Sequence, residues 1–258
     1  MPLCEDGGLP EPPGSGVNAV GILLTGGSSR RFGSAKGLVS IGDSTLAQHT
    51  GTVMKYVCDV VIEVGAGISD AALKLSDEPR QGPLSALIRG WADLPASWQD
   101  AWILGLACDL PLVDEVVLRS LLHYESPLSV VPLVMGSPQY LCARWTPERL
   151  RKFEYAVLAG ERSFVRALTG AKDVAYVPAS TLLGSGGAMT VSSDMLFSDI
   201  DTPGDLDRLQ VLGLWPYRKS DRATPSVSGK EVIGHKQGKF ASIGTRLTSS
   251  VPGRVARS

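Results

Sequence analysis

Leu23-Leu24-Thr25-Gly26-Gly27-Ser28-Ser29-Arg30-Arg31-Phe32-Gly33-Ser34-Ala35-Lys36 is the stretch from which the fold of this chain is read. It follows an apolar run, Val17 to Leu24, that reads as a buried strand. Three glycines, two arginines, a lysine and several hydroxyls then fall within a dozen residues. An anion site built from backbone needs such a mixture. Glycines let the main chain approach a phosphate and point N–H groups at it, and fixed cations neutralise the charge. An ordinary strand-to-helix loop, glycine-rich for turning and basic for solubility, fits the same composition equally well.

Downstream, strand and helix signals alternate. Asp59–Val64 and Ala101–Ala107 read as further buried strands, Ser129–Val134 and Gln139–Ala143 as shorter ones, and Asp173–Pro178 as a last one. Helical spacing covers Ser44–Tyr56, Pro83–Leu94, Val113–Tyr124, Thr146–Ala159 and Arg162–Leu168. Thr202, Pro203 and Asp205 open a final helix as cap, first turn and third residue. Near-continuous apolar strands between helices imply an α/β fold of three α/β/α layers around a mostly parallel sheet. Such sheets bind ligands beyond the carboxyl ends of their strands. Both the Gly-rich loop and Cys108-Asp109 would lie at that edge.

The 258 residues are 43% hydrophobic and 20% charged, which suits a soluble globular core. The net charge of −1 gives no overall bias toward nucleic acid. Its distribution is uneven: nine Lys/Arg against Asp221 and Glu231 make residues 216–258 strongly basic, while Glu5, Asp6 and Glu11 make the first sixteen acidic. Residues 1–16 read as a flexible leader, 17–212 as one domain, and 213–258 as a basic, disordered tail. Cys4, Cys58, Cys108 and Cys142 lie far apart, and His49, His123 and His235 have no metal-binding spacing. Reduced, mostly buried thiols in a cytoplasmic protein are expected. No run reaches the ~18 apolar residues of a membrane span, and the N-terminus has no basic start or apolar signal core.

Two standard phosphate motifs fail. G-x-G-x-x-G is absent, because Gly26 and Gly27 are adjacent and Gly33 is next; the Walker pattern fails at Ser34-Ala35-Lys36. What the loop does match is G-G-x-S-x-R-x-G-x-x-K, carried by Gly26, Gly27, Ser29, Arg31, Gly33 and Lys36. Here the chain resembles the molybdenum cofactor guanylyltransferase family. Three further stretches are similar to that family's in the same order: Asp77 ahead of Gly82-Pro83-Leu84, Cys108-Asp109-Leu110-Pro111, and Asp199-Ile200-Asp201-Thr202-Pro203. The resemblance spans about Val17 to Leu212.

It implies a Rossmann-like nucleotidyltransferase fold and a cytoplasmic, Mg²⁺-dependent enzyme that joins GMP from GTP to a molybdopterin-type pterin phosphate. Nucleotide contacts would come from Leu24, Thr25, Gly26, Gly27, Lys36, Asp77 and Asp109. Arg31, Lys36 and Asp109 would be catalytic, Asp109 the metal ligand and Asp201 a candidate second ligand. Molybdoenzymes or cofactor-insertion proteins would be protein partners of a monomer or weak oligomer, with no role for nucleic acid or membrane.

The chemistry supports these residue types on its own terms. Nucleotidyl transfer gathers several negative charges and expels pyrophosphate. Gly26 and Gly27 offer backbone N–H groups, Arg31 a planar fork for phosphate oxygens, and Lys36 a point charge. Each charge-assisted contact is worth about 1.5–3 kcal/mol. Asp109 at the end of an apolar strand calls for a cation, and Mg²⁺ held by one or two carboxylates plus phosphate oxygens fits. Asp109 as the cap of the turn leading to the Val113 helix, Asp77 as a solvated loop acid, and Asp201 as part of a helix cap are the competing structural readings.

Departures from the family pattern bear on specificity. Thr25 stands where alanine is usual and Phe32 where methionine is common. Glu63 lies nearest the position at which some members place a nucleotide-touching asparagine. Asp199 and Asp201 stand where asparagines are frequent, a lean toward cytidylyltransferases, which are the nearest alternative. A second alternative is a non-catalytic nucleotide-binding chaperone of molybdoenzymes. Gln139-Tyr140-Leu141 and the helix from Thr146 are expected to shape the acceptor side, with Phe153, Val157 and Phe164 in the core.

Overall fold

A computed structural model describes residues 18–26, 36–77, 81–184, 191–212 and 214. The leader and tail expected at 1–16 and 213–258 lie outside these residues, apart from Leu214, as do Gly27, Ser29, Arg31 and Gly33 of the loop motif. Among the described residues ten strands occur: β1 Ala19–Leu24, β2 Ser40–Ile41, β3 Ser44–Thr45, β4 Val60–Gly65, β5 Leu73–Ser76, β6 Trp102–Ala107, β7 Ser129–Val134, β8 Ser137–Pro138, β9 Cys142–Trp145 and β10 Val174–Pro178. The helices are α1 Leu46–Lys55, α2 Gly82–Ala92, α3 Glu115–Leu122, α4 Pro147–Leu158, α5 Phe164–Ala167, α6 Ala179–Leu183 and α7 Pro203–Val211.

The main sheet runs β10-β7-β9-β6-β1-β4-β5, with β8 paired to β7. β5, β4, β1 and β6 are mutually parallel, as are β7 and β10; β9 runs antiparallel to both β6 and β7. Strand alternation builds the two outer layers. Val20, Ile22 and Leu24 of β1 and Val60, Ile62 and Val64 of β4 face α2 and α4, packing with Leu84, Leu87, Trp91, Leu150 and Phe153. Leu23 and Val61 face the other way, toward Leu46 and Met54 of α1 and Leu118 and Leu121 of α3. All these side chains are buried, as an α/β sheet covered on both faces requires.

Local signals set the element ends. The helix expected from Ser44 begins at Leu46, because Ser44 and Thr45 pair with Ser40 and Ile41 in a small hairpin. Thr45 then closes a reciprocal capping box with Gln48. The strand expected over Gln139–Ala143 lies at Cys142–Trp145 instead. Met135 and Gly136, both at positive φ, turn the chain early into β8, and the Gln139 N–H is spent on the Pro132 carbonyl. β5 carries no apolar run, since it is an edge strand with only half-buried leucines, and composition does not announce it.

Phe153 and Phe164 are core residues, stacked edge-on with each other and packed on Trp145. Cys58, Cys108 and Cys142 are buried and free. No helix among the described residues is long and apolar enough to cross a membrane.

Candidate active site

The carboxyl ends of β1, β4, β5 and β6 come out at one edge of the sheet. They deliver Thr25-Gly26, Ala66, Asp77 and Cys108-Asp109 to the same rim, the ligand edge of an open α/β sheet. Backbone bonds hold the rim together. Cys108 N donates to Leu24 O at 3.1 Å, Thr25 N to Val64 O at 3.0 Å, and Ile200 N to Asp109 O at 2.9 Å. The last of these ties the Asp199–Pro203 segment to the turn after β6, two stretches ninety residues apart in the chain.

At the centre is Lys36. Its Nζ donates to Asp109 Oδ2 at 3.1 Å and to Asp201 Oδ1 at 2.5 Å. The three side chains are 18%, 26% and 47% exposed. Burial works against the ammonium charge, but Asp201 and Asp109 outweigh it and hold Lys36 above the ordinary lysine value. Asp199 completes the cluster. Burial, then the neighbouring Asp201 and Asp109 charges, push its carboxyl up from the usual aspartate range.

The competing capping roles are resolved by named contacts. Asp114, not Asp109, caps α3, its Oδ1 accepting from Val116 N at 2.9 Å and Val117 N at 3.0 Å. At α7 it is the Asp205 carboxylate that accepts from Thr202 N, Thr202 Oγ1 and Asp201 N. The carboxylates of Asp109 and Asp201 both meet a cation, the Lys36 ammonium.

That convergence is the test for a metal. Two carboxylates meeting at one cationic centre, with water and phosphate oxygens to complete the shell, is the donor set a hard divalent ion takes. Among the described residues no three His, Cys, Asp or Glu form a closed metal cage. Cys108 is not a competing donor. Burial, then the adjacent Asp109, push its thiol up to about 12, and the neutral thiol is a poor ligand.

Asp77 lies against the Cα of Gly26 so closely that any Cβ at position 26 would overlap its carboxylate, with Asp77 Cγ only 2.9 Å from that point. A side chain at position 26 would force Asp77 to move. Asp77 also stands at one end of a groove of about 470 Å³ between α2 and α4, walled by Gln81, Ser85, Ile88, Glu154 and Val157. Val157, expected in the core, is half-buried and lines this groove.

Glu63 does not reach the rim. It is fully buried, its Oε1 accepting from Thr25 Oγ1 at 2.6 Å and Ile68 N at 2.9 Å, its Oε2 from Ser69 N at 2.7 Å and Ser69 Oγ at 2.6 Å. It takes no nucleotide contact of the kind an asparagine there would offer. Thr25, likewise buried, turns its hydroxyl to Glu63 and not to the rim. Leu24, Thr25, Gly26, Lys36, Asp77, Asp109 and Asp201 are thus brought to one edge. Gly27 and Arg31 lie outside the described residues. Only the order of strand ends could have disclosed the role of Ile200, whose amide holds Asp109.

Comparison with known proteins gives a consistent picture. Residues 21–174 match the profile of the MobA-like NTP transferase domain. A probable molybdenum cofactor guanylyltransferase of Bacillus anthracis is 30% identical over 169 residues, covering 61% of this chain and 82% of that protein. A molybdenum cofactor guanylyltransferase of Pseudomonas entomophila is 31% identical over 163 residues, 59% and 83% of the two chains. The crystal structure of molybdopterin-guanine dinucleotide biosynthesis protein A from Archaeoglobus fulgidus superposes with a TM-score of 0.59 at 21% identity, covering 76% of this chain and 98% of that one. The chain belongs to the MobA-like NTP transferase family and is a nucleotidyltransferase of α/β fold.

Proposed function

We propose that this member of the MobA-like NTP transferase family transfers GMP from GTP to the phosphate of a molybdopterin-type cofactor, releasing pyrophosphate. The observation that carries the reading is the bridge from Lys36 Nζ to Asp109 and Asp201 at the rim beside Gly26. The names of the relatives in Bacillus and Pseudomonas support the choice of nucleotide and acceptor.

In this reading the Gly26 and Gly27 backbone cradles the triphosphate, and Arg31 and Lys36 meet its oxygens. Asp77, against Gly26, contributes to nucleotide binding from the far side of the turn. Asp109 and Asp201 hold a divalent ion, assigned as Mg²⁺, which supplies Lewis-acid neutralisation of phosphate charge when bound. An oxygen of the acceptor phosphate forms a bond to the α-phosphorus as the bond from that phosphorus to the bridging oxygen of pyrophosphate breaks. Lys36 leaves the carboxylates to stabilise the charge that collects on the leaving group. The domain is 17–212, and the enzyme works in the cytoplasm on small phosphorylated substrates, with molybdoenzymes or cofactor-insertion proteins downstream.

Pyrophosphate release with the pterin acceptor, run in parallel with GTP and CTP at equal Mg²⁺, tests the assignment. GTP is expected to be turned over. Preferential CTP turnover would replace the guanylyl reading by the cytidylyl one, which Asp199 and Asp201 favour. Asp109→Ala is expected to abolish metal-dependent turnover while the circular dichroism spectrum stays that of the native chain; retained turnover would overturn the metal role.

A further inference from the structure

Glu63 lies mid-strand in β4 among Val60, Val61, Ile62 and Val64, with no exposed surface. A carboxylate in such a place is costly unless every lone pair finds a donor, and an apolar side chain would fill the space at less cost. Burial alone would raise its carboxyl; hydrogen bonds from Ser69, Thr25 and the amides of Ile68 and Ser69 outweigh that and hold it below the usual glutamate value. The group is ionised, fully satisfied, and its four donors include no cation.

Those donors come from Thr25, at the end of β1, and from the turn after β4. Thr25 immediately precedes Gly26; besides donating to Glu63 its Oγ1 accepts from Ala66 N at 2.9 Å. Ile68 and Ser69 form the turn after β4. Ile68 Cδ1 lies 3.2 Å, and Thr25 Cβ 3.6 Å, from where a Cβ of Gly37 would stand, so the turn packs under the residue after Lys36. Ser69 Cβ is 3.0 Å from the corresponding point on Gly51 of α1. Thr25, just before Gly26, and Gly37, just after Lys36, therefore both rest on the turn that Glu63 holds.

The geometry points to Glu63 as a positioning residue for nucleotidyl transfer: through Thr25 at one end and the Ile68–Ser69 turn at the other, it sets where the Gly26 amide and the Lys36 ammonium stand relative to Asp109. The inference rests on the nucleotide reading of the rim. A buried carboxylate cannot touch the nucleotide, so its effect is on the alignment of groups that do, and misalignment shows in the chemical step more than in ground-state binding.

The test uses the full chain with Glu63→Gln, which turns one acceptor oxygen into an amide NH₂ facing donors, and Thr25→Val, which keeps volume and removes the hydroxyl. Both are expected to lower kcat in the pyrophosphate-release assay by about tenfold or more, with nucleotide KM changed by less than about threefold. The double variant is expected to fall no further than the weaker single. Val61→Ala, on the same strand and face, lowers thermal stability without touching the network and is expected to keep kcat. Folded single variants with native kcat, or Val61→Ala losing kcat in step with its melting temperature, would overturn the inference. Should Glu63→Gln not fold, Thr25→Val decides alone. The native chain separates the two levels: pyrophosphate release by it beside unaffected Glu63 and Thr25 variants sinks only the positioning role, whereas a native chain that releases no pyrophosphate from any nucleotide sinks the nucleotide reading.

Discussion

Lys36 stands between the two carboxylates; on the proposed reading these hold the divalent ion, so ammonium and metal would compete for Asp109 and Asp201. Removing the ammonium has opposite effects on the two functions of the site. Lys36→Met is expected to lower turnover by roughly a hundredfold, because a charge-assisted contact to the leaving group is lost. It is also expected to tighten binding of Mn²⁺ to the nucleotide-free protein, measured by electron paramagnetic resonance titration, since the competing cation is gone. Unchanged or weaker Mn²⁺ binding would show that Lys36 does not stand in the metal's place. Glu63 gives the residue scale a pH signature. Its carboxyl binds a proton less readily folded than unfolded, so its contribution to stability is complete above the ordinary value of 4.5 and is lost as pH falls through the lower folded value. Melting temperatures from pH 7 down to pH 3 should drop less steeply for Glu63→Gln than for the native chain. Parallel curves would mean that the carboxylate is not held in its charged form by the fold.

At the scale of elements, the strand-end turns divide into those that hold the rim and those that merely reverse the chain. Gly65, the last residue of β4, has φ +139°, and a Cβ there would fall 2.6 Å from the Thr25 carbonyl carbon and 2.7 Å from Thr25 Oγ1. Gly136, between β7 and β8, has φ +82° and open space around its Cβ position. Both substitutions to alanine carry backbone strain of about 1–3 kcal/mol. Only Gly65→Ala also pushes the start of the nucleotide segment. Gly136→Ala is expected to lower the melting temperature by several degrees with native kcat. Gly65→Ala is expected to lose nucleotide-dependent thermal stabilisation as well. Equal effects of the two on nucleotide binding would detach Gly65 from the site. The contrast also marks where reading the sequence stops. Val60–Val64 announces its strand by β-branched runs, and Pro147 and Thr146 announce α4 by their capping chemistry. Nothing in the composition distinguishes Gly65 from Gly136, because the difference lies in what another strand brings beside each.

For the whole molecule, the parallel sheet and its two helical layers were legible because each buried strand is apolar almost throughout and each helix has one apolar face. The acids of the rim were legible as residue types, and their meeting was not. Asp109 and Asp201 are ninety-two positions apart, and what joins them is the order of strands in the sheet plus one amide, Ile200 N to Asp109 O. The inward turn of Glu63 was hidden for the same reason: its donors come from β1 and from the turn after its own strand. Among the described residues, α7 places Leu209 in the core with α1 and α3, and Leu214 packs against the same cluster. Deleting 216–258 removes nine of the 25 Lys/Arg, yet kcat and nucleotide KM are expected to stay within about twofold of the full chain at physiological salt, where screening limits charge steering to about 8 Å. A melting temperature within about 2 °C of the full chain should accompany them. A shortened chain that is insoluble, or folded and inactive, would place the basic segment inside the catalytic unit and move its boundary beyond residue 212.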